Sequence, residues 1–244
     1  MEIEIVKPQE IEKRSFEIIE EELKERGIVL PEKEVPITKR VIHTSADFSY
    51  AETMTYSPGA IEQALELIKG GAHIVTDTNM AKAGINKKTL ARLGGQVHCF
   101  MADEAVAREA KERGVTRAVV SMETAARLPG PVIFAIGNAP TALIELHEMI
   151  EQGTYVPAFI IGVPVGFVNV EAAKELFLDG DVPSIINRGR KGGSNIAAAI
   201  CTALLYLASN NIRDSRVGLW KKNCETDLHQ APPRQPRRSR PSIC

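Results

Sequence analysis

The sequence predicts a single doubly wound α/β domain, with a mostly parallel sheet and helices on both faces. Two observations lead to this prediction. Several short apolar runs lack the alternation of a half-exposed strand, which is typical of parallel strands that are covered on both faces. Helical stretches separate these runs, so each strand is followed by a crossover helix. The runs lie at 72–76, 96–100, 117–121, 132–136, 157–161 and 183–186.

The elements are predicted in chain order as follows. From Pro8 to Gly27 an amphipathic pattern ends at a glycine, as helices commonly do. After a polar connection, residues 40–43 are predicted to form a short strand that runs into a hydroxyl-rich loop. The helices between the later strands are predicted at 58–69, 86–94, 103–113, 140–152, 169–178 and 194–208.

Charge and composition divide the chain into a domain over residues 1–208 and a tail over residues 209–244. In the tail, prolines interleave with arginines and serines and apolar periodicity is lost, which predicts a basic, disordered segment. The whole chain has 30 Lys plus Arg against 31 Asp plus Glu and a formal net charge of −1. A chain with so little net charge lacks the strongly positive surface that is typical of nucleic-acid-binding proteins. We expect no nucleic-acid partner, although a basic tail could touch nucleic acid or a membrane surface.

Cysteine usage and hydropathy predict a cytoplasmic protein without a structural metal. The four cysteines show no CxxC pattern and no close Cys/His spacing, so neither a disulfide framework nor a zinc site is expected. No basic region followed by an apolar one begins the chain. The longest apolar stretch, residues 157–168, is interrupted by glycine and proline and is too short to span a bilayer.

Four loops at the carboxyl ends of predicted strands are rich in glycine, proline or polar residues. Ligands of parallel α/β folds bind at this edge of the sheet. The loops are Asp77–Met80, Gly137–Thr141, Gly162–Gly166 and Arg188–Ser194. In the last loop, glycines would let backbone N–H groups approach a carboxylate or a phosphate, and three basic side chains flank them. A tight turn with surface charges is the alternative interpretation.

His43 is the strongest candidate for a catalytic residue. It ends the predicted strand 40–43, and Thr44, Ser45 and Asp47 follow closely enough to set its tautomer. Imidazole has the unperturbed pKa best suited to proton transfer near neutrality. Spacing alone equally allows a structural histidine that is held by Thr44 or Asp47.

Three further polar residues are ambiguous from spacing alone. Ser15 lies on the apolar face of the first predicted helix, where its hydroxyl could contact a ligand or bond back to the carbonyl of Ile11. Arg40 and Arg117 each begin a predicted strand. They could clamp carboxylates in a bidentate manner, or they could pair with surface acids.

Six short segments carry the motifs of one known family. They are 11–19 (IEKRSFEII), 40–43 (RVIH), 114–117 (GVTR), 136–143 (IGNAPTAL), 162–168 (GVPVGFV) and 189–194 (GRKGGS). With these segments in the family's order, the chain resembles the precorrin-8X methylmutases, also called cobalt-precorrin-8 methylmutases, of corrin biosynthesis. The resemblance covers about residues 3–208.

The resemblance implies an isomerase that moves a methyl group from C-11 to C-12 of a contracted tetrapyrrole, giving hydrogenobyrinate or its cobalt-containing counterpart, cobyrinate. It implies no cofactor, no metal and no external methyl donor, and a homodimer with substrate near the subunit contact. His43 matches the family's proton donor and acceptor, and Ser15 and Arg40 match substrate contacts. The remaining residues expected to line the pocket are Arg117, Asn138, Gly189, Lys191, Gly192 and Ser194.

Two other functions compete with the isomerase. A non-catalytic carrier of tetrapyrrole intermediates could use the same loops, with His43 only touching the ring. A nucleotide- or phosphosugar-dependent transferase would suit the basic glycine loop, although no GxGxxG follows a strand and no P-loop or GxSxG is present. Turnover separates the isomerase from the carrier, and thermal stabilisation by nucleotides or sugar phosphates would support the transferase.

Overall fold

Six strands form one sheet within residues 4–209, the part of the chain that this computed structural model describes. The predicted tail lies outside the described residues, apart from Ser209. The sheet order is β1-β6-β5-β4-β2-β3, and every neighbouring pair is parallel except β1 with β6. The strands are β1 (Met54–Tyr56), β2 (His73–Thr76), β3 (Val97–His98), β4 (Val132–Ile136), β5 (Phe159–Gly162) and β6 (Ser184–Asn187).

Helices cover both faces of this sheet. An eleventh helix in the described residues, α11, runs over residues 194–209. None of the helices in residues 4–209 is both long and apolar enough to cross a membrane. The other ten are α1 (Ile11–Glu25), α2 (Val35–Ser45), α3 (Tyr50–Thr53), α4 (Ala60–Lys69), α5 (Asn79–Gly84), α6 (Lys87–Arg92), α7 (Glu104–Arg113), α8 (Arg117–Ala125), α9 (Pro140–Glu151) and α10 (Val170–Glu175).

The position of β4 inside the sheet explains why its sequence is apolar throughout. All five of its residues are buried. Ile133 packs into a core that is shared with α1, α2, α4 and α11, whereas Phe134 packs into a second core with α8, α9 and α10. Because successive side chains of a strand point to opposite faces, a strand between two helical layers needs apolar residues at every position. The predicted fold class, a single doubly wound α/β domain, is confirmed.

Two of the predicted strands are wrong. Residues 40–43 lie in α2, and residues 117–121 lie in α8. A short apolar run does not by itself distinguish a buried strand from the buried side of a helix. The local signals for a helix are Pro36 in the first turn of α2 and the hydroxyl of Thr116, which accepts the N–H of Val119 in α8.

Three short elements were not predicted, and the predicted strand at 96–100 is much shorter in the structure. The predicted strand 96–100 contracts to the two residues of β3. The additional elements are α3, α5 and β1, which is the antiparallel edge strand and pairs Thr55 with Ile186. The three residues of β1 are only partly buried, so they lack the continuous apolar run that marks the other strands. The first helix ends as predicted, with Gly27 at a φ of +70° after α1.

Candidate functional site

The loops after β2 and β4 are joined by one buried carboxylate. Asp77 is 1% exposed. It accepts backbone N–H groups from Gly137 at 3.0 Å, Asn138 at 2.7 Å and Ala139 at 2.6 Å. Burial raises the pKa of Asp77, and these N–H groups act against that rise by stabilising the carboxylate. The backbone of this loop is therefore occupied by the protein's own anion, and Asn138 offers a ligand its exposed side chain.

The start of α11 lies against the same two loops. The hydroxyl oxygens of Thr78 and Ser194 are 2.7 Å apart and share a hydrogen bond. A Cβ atom at Gly137 would come within 2.7 Å of the carbonyl oxygen of Gly193 and 2.8 Å of the Cα of Ser194, so only glycine fits there. Two predicted site residues, Asn138 and Ser194, are thus brought to one edge of the sheet.

The glycine loop after β6 packs against the loop after β5. A Cβ atom at Gly192 would lie 2.1 Å from the carbonyl oxygen of Val163, and the N–H of Gly193 donates to that same oxygen at 2.9 Å. Gly189 has a φ of +74°, in the left-handed region. The close approach of the two backbones fixes the course of the loop. Within residues 4–209, the N–H groups of Arg190, Gly192 and Ser194 make no hydrogen bond.

All three basic side chains of this loop pair with acidic residues. Arg188 contacts Glu175 at 3.2 Å, and Arg190 contacts Glu171 at 3.1 Å. Lys191 donates to Asp47 at 2.6 Å and to the hydroxyl of Ser49 at 2.9 Å. The lysine holds the pKa of Asp47 below its usual range. In this arrangement the loop offers an anion its backbone N–H groups more readily than its side-chain charges.

His43 lies in the last turn of α2, not at the end of a strand. Its side chain is exposed, and its ring packs against the Phe16 ring with centroids 5.2 Å apart. The residues expected to set its tautomer bond elsewhere. Thr44 and Ser45 donate to the carbonyls of the preceding helical turn, and Asp47 pairs with Lys191. The imidazole ring of His43 makes no hydrogen bond within residues 4–209, so the alternative of a histidine held by Thr44 or Asp47 is not supported.

Arg40 lies beside the same aromatic ring, and Ser15 is the residue before Phe16 on α1. Arg40 is one turn before His43 on α2, with its guanidinium 4.9 Å from the centroid of Phe16 and 5.5 Å from that of Tyr206 on α11. It also pairs with Glu12 of α1. Ser15 precedes Phe16 on α1, and its hydroxyl donates to the carbonyl of Ile11 at 2.9 Å. The structure therefore gathers α1, α2 and α11 around Phe16.

Arg117 begins α8 rather than a strand, next to the loop after β4. Its neighbour Thr116 donates to the hydroxyl of Thr141, at 3.1 Å, in the first turn of α9. The Arg117 side chain is exposed and forms no ion pair with any of residues 4–209. It is therefore available to a ligand, whereas Arg113 on the neighbouring α7 is already bound to Glu109 and Glu123.

Comparison with known proteins shows which family the chain belongs to. The family model described as precorrin-8X methylmutase matches residues 10–207. The chain belongs to the precorrin-8X methylmutase family. Its curated relatives are named as methylmutases, so the chain is an enzyme of the isomerase class with methylmutase function in cobalamin biosynthesis.

Several members of the precorrin-8X methylmutase family match almost their whole length. The cobalt-precorrin-8 methylmutase of Priestia megaterium is 42% identical over 207 residues, which are 85% of this chain and 91% of that protein. The precorrin-8X methylmutase of Pseudomonas aeruginosa is 37% identical over 199 residues, 80% of this chain and 94% of that protein. The crystal structure of precorrin-8X methylmutase from Thermus thermophilus superposes with a TM-score of 0.74 at 37% identity, covering 83% of this chain and 98% of that one.

Two buried residues of this methylmutase were not predicted as site residues. The sequence identifies Asp77 only as part of a polar loop, because its three N–H partners lie 60, 61 and 62 positions away. Lys174 is covered by the sequence analysis only as part of the predicted helix 169–178, yet its side chain is fully buried under the glycine loop. No local sequence signal distinguishes it from an exposed lysine, since its environment is made by a loop that follows it in the chain.

Proposed function

We propose that this methylmutase moves the methyl group from C-11 to C-12 of a precorrin-8 macrocycle, with His43 as proton donor and acceptor. The bond between the methyl carbon and C-11 breaks, and a bond to C-12 forms. Nothing is gained or lost overall, so the reaction needs a correctly protonated macrocycle and no second substrate. One side chain that donates a proton and then recovers it can meet this need.

The observation that carries the proposal is the setting of His43. Its imidazole is exposed, makes no hydrogen bond within residues 4–209, and is fixed by ring contact with Phe16. Both ring nitrogens are therefore available to exchange a proton with a ligand. Arg40, stacked on the same Phe16 ring one helical turn away, would exchange its present partner Glu12 for a substrate carboxylate. This pairing of a free acid–base group with a fixed cation suits an anionic, proton-exchanging substrate.

The peripheral carboxylates of such a substrate would find several donors. Arg117 has no ion-pair partner among residues 4–209, and the N–H groups of Gly192 and Ser194 are unbonded there. The exposed side chain of Asn138 adds an amide. In this proposal Ser15, Gly189 and Lys191 complete the lining, with Ser15 exchanging its present bond to the Ile11 carbonyl for one to the ligand.

The deciding experiment follows the visible spectrum of purified protein mixed with precorrin-8, with the cobalt-containing and metal-free forms in parallel. We expect conversion to the corrin spectrum by the wild type and loss of conversion, with binding retained, in His43→Ala. The matched control is Thr44→Ala, which changes the next exposed residue of α2 and should keep turnover. Binding without conversion by the wild type in both forms would overturn the proposal in favour of a tetrapyrrole carrier.

We further propose that the active form is a homodimer. The loop after β5 exposes large apolar side chains at the edge of the sheet where the candidate site lies, with Phe167 82% and Val168 77% exposed. Apolar residues clustered in this way commonly mark an association surface. A second copy of the chain would cover them and shield a bound macrocycle from water.

A further inference from the structure

One face of the short helix α10 contacts the glycine loop, which comprises residues 188–194. Positions i, i+3 and i+4 of a helix lie side by side. In α10 these positions are Glu171, Lys174 and Glu175. Glu171 pairs with Arg190, and Glu175 pairs with Arg188. Lys174 donates to backbone carbonyls of the loop. Each of the three contacts reaches a different point of residues 188–191. The helix therefore acts as a support for the loop.

Lys174 differs from its two neighbours because it is buried. Its side chain is 0% exposed, and it has no carboxylate within ion-pair distance among residues 4–209. Its ammonium donates to the carbonyl oxygens of Gly189 at 2.6 Å and Lys191 at 2.8 Å. Burial lowers the pKa of Lys174 to about 8. A buried charge without a counter-ion is costly for stability, so a purely structural role would be served better by an apolar side chain.

The two hydrogen bonds of Lys174 orient the peptide units of the loop, and the side-chain amide of Asn187 adds a further bond to the Lys191 carbonyl at 2.8 Å. In a trans peptide unit the C=O of one residue and the N–H of the next point in opposite directions. Since the carbonyls of Gly189 and Lys191 point inward to the ammonium, the N–H groups of Arg190 and Gly192 point away from it. Both of these N–H groups are without a partner in residues 4–209.

Among the basic side chains that contact the loop, Lys174 differs because it has no carboxylate partner within residues 4–209. Arg188, Arg190 and Lys191 each contact a carboxylate, on Glu175, Glu171 and Asp47. Glu171, the charged group that raises the pKa of Lys174, is the one already paired with Arg190. An anion at the outer side of the loop would therefore meet oriented N–H groups, with a buried positive charge behind them.

We propose that Lys174 is a positioning residue that aims the N–H groups of Arg190 and Gly192 at a carboxylate of the substrate. This inference rests on the proposed function, which supplies the carboxylate-bearing ligand. Lys174 itself does not touch the substrate. It acts through the loop, and its loss should weaken binding of the carboxylate while the methyl shift at His43 continues.

The test is Lys174→Met, which keeps much of the side-chain volume and removes the charge and the donors. We expect KM for precorrin-8 and Kd for the corrin product to rise about tenfold, the size of one charge-assisted hydrogen bond, with kcat changed less than twofold. Lys174→Gln retains one amide donor group and should recover part of the loss. The matched control is Lys69→Met, which removes the charge of an exposed lysine in the last turn of α4, at the opposite edge of the sheet, and should leave KM unchanged.

A second ligand separates carboxylate recognition from general loop damage. For a corrin whose peripheral carboxylates are all converted to neutral amides, Kd should be equal in wild type and Lys174→Met. A tenfold loss with both ligands, or an unchanged KM in a folded Lys174→Met variant, would overturn the inference. If the wild type neither binds nor converts precorrin-8, the proposed function itself fails, so the two failures are distinguishable. Should Lys174→Met not fold, Lys174→Gln carries the same comparison.

Discussion

At the scale of single residues, the site is defined by which polar groups the protein leaves unbonded. The buried carboxylate of Asp77 accepts hydrogen bonds from the N–H groups of Gly137, Asn138 and Ala139. In contrast, the exposed ring of His43 makes no hydrogen bond within the described part of the chain. A buried polar group must be paired for the fold to be stable, whereas a group that meets a ligand is paired only on binding. The two kinds of residue therefore have opposite signatures.

Two glycines of one loop should respond very differently to alanine. At Gly189 a Cβ atom would meet no atom within 4 Å, so Gly189→Ala adds only the backbone cost of its φ of +74°, about 1 kcal/mol of unfolding free energy. At Gly192 a Cβ atom would lie 2.1 Å from the Val163 oxygen and 2.8 Å from that of Pro164, both backbone atoms. Gly192→Ala must therefore displace the loop.

Urea unfolding and substrate titration check this pair. We expect Gly192→Ala to lose clearly more stability than Gly189→Ala and to raise KM for precorrin-8 strongly, because the N–H of residue 192 moves away from the ligand. Equal stability and equal KM in the two variants would show that the loop accommodates a side chain at both positions and that its course is not fixed by the contact with Val163.

At the scale of elements, α2 shows that a candidate site residue can be predicted on the wrong type of element. His43 and Arg40 were assigned to a strand, but they lie three residues apart on a helix. In a helix this spacing places side chains on one face, where both reach Phe16. In a strand, residues 40 and 43 would point to opposite faces. The helix therefore gives the two side chains the common face that the proposed function requires.

The edge strand β3 should make stability depend on pH. His98 Nε2 and His73 Nδ1 are 3.2 Å apart, a hydrogen bond in which one ring must be a neutral acceptor. Burial lowers the pKa of His98, and the charges of His73 and of Lys82 on α5 lower it further. The unfolded chain therefore binds a proton more readily than the folded chain. Unfolding free energy should fall as pH decreases through about 6.5, the ordinary histidine value.

This dependence can be measured by urea unfolding at about pH 7.5 and about pH 5.5, which lie above and below the ordinary histidine pKa. We expect the wild type to lose more stability between the two conditions than His98→Gln, whose amide can still bond to His73 but does not titrate. If the variant and the wild type show the same loss, other groups are responsible for the acid sensitivity.

At the scale of the whole molecule, the exposed apolar loop after β5 predicts self-association. Double substitution Phe167→Ser with Val168→Ser removes its two most exposed apolar side chains. We expect the wild type to sediment as a dimer and this variant to shift towards the monomer, since apolar burial would drive the contact. The matched control is Val29→Ser, which changes a residue 91% exposed on the segment between α1 and α2. Sedimentation velocity across protein concentrations measures the shift, and a wild type that stays monomeric at the highest concentration contradicts the prediction.

Local patterns in the sequence were enough to predict the fold class and the loops that form the candidate site. Buried strands such as β4 must be apolar on both faces, and tight backbone contacts such as that of Gly192 require glycine, so both leave a local pattern. Which charges remain available to a ligand depends on contacts that form only in the folded chain. Lys191 and Asp47, 144 positions apart, neutralise each other, Lys174 is buried under a later loop, and Arg117 stays without an ion-pair partner in residues 4–209. Ion pairing and burial depend on neighbours in space, and no spacing along the chain encodes them.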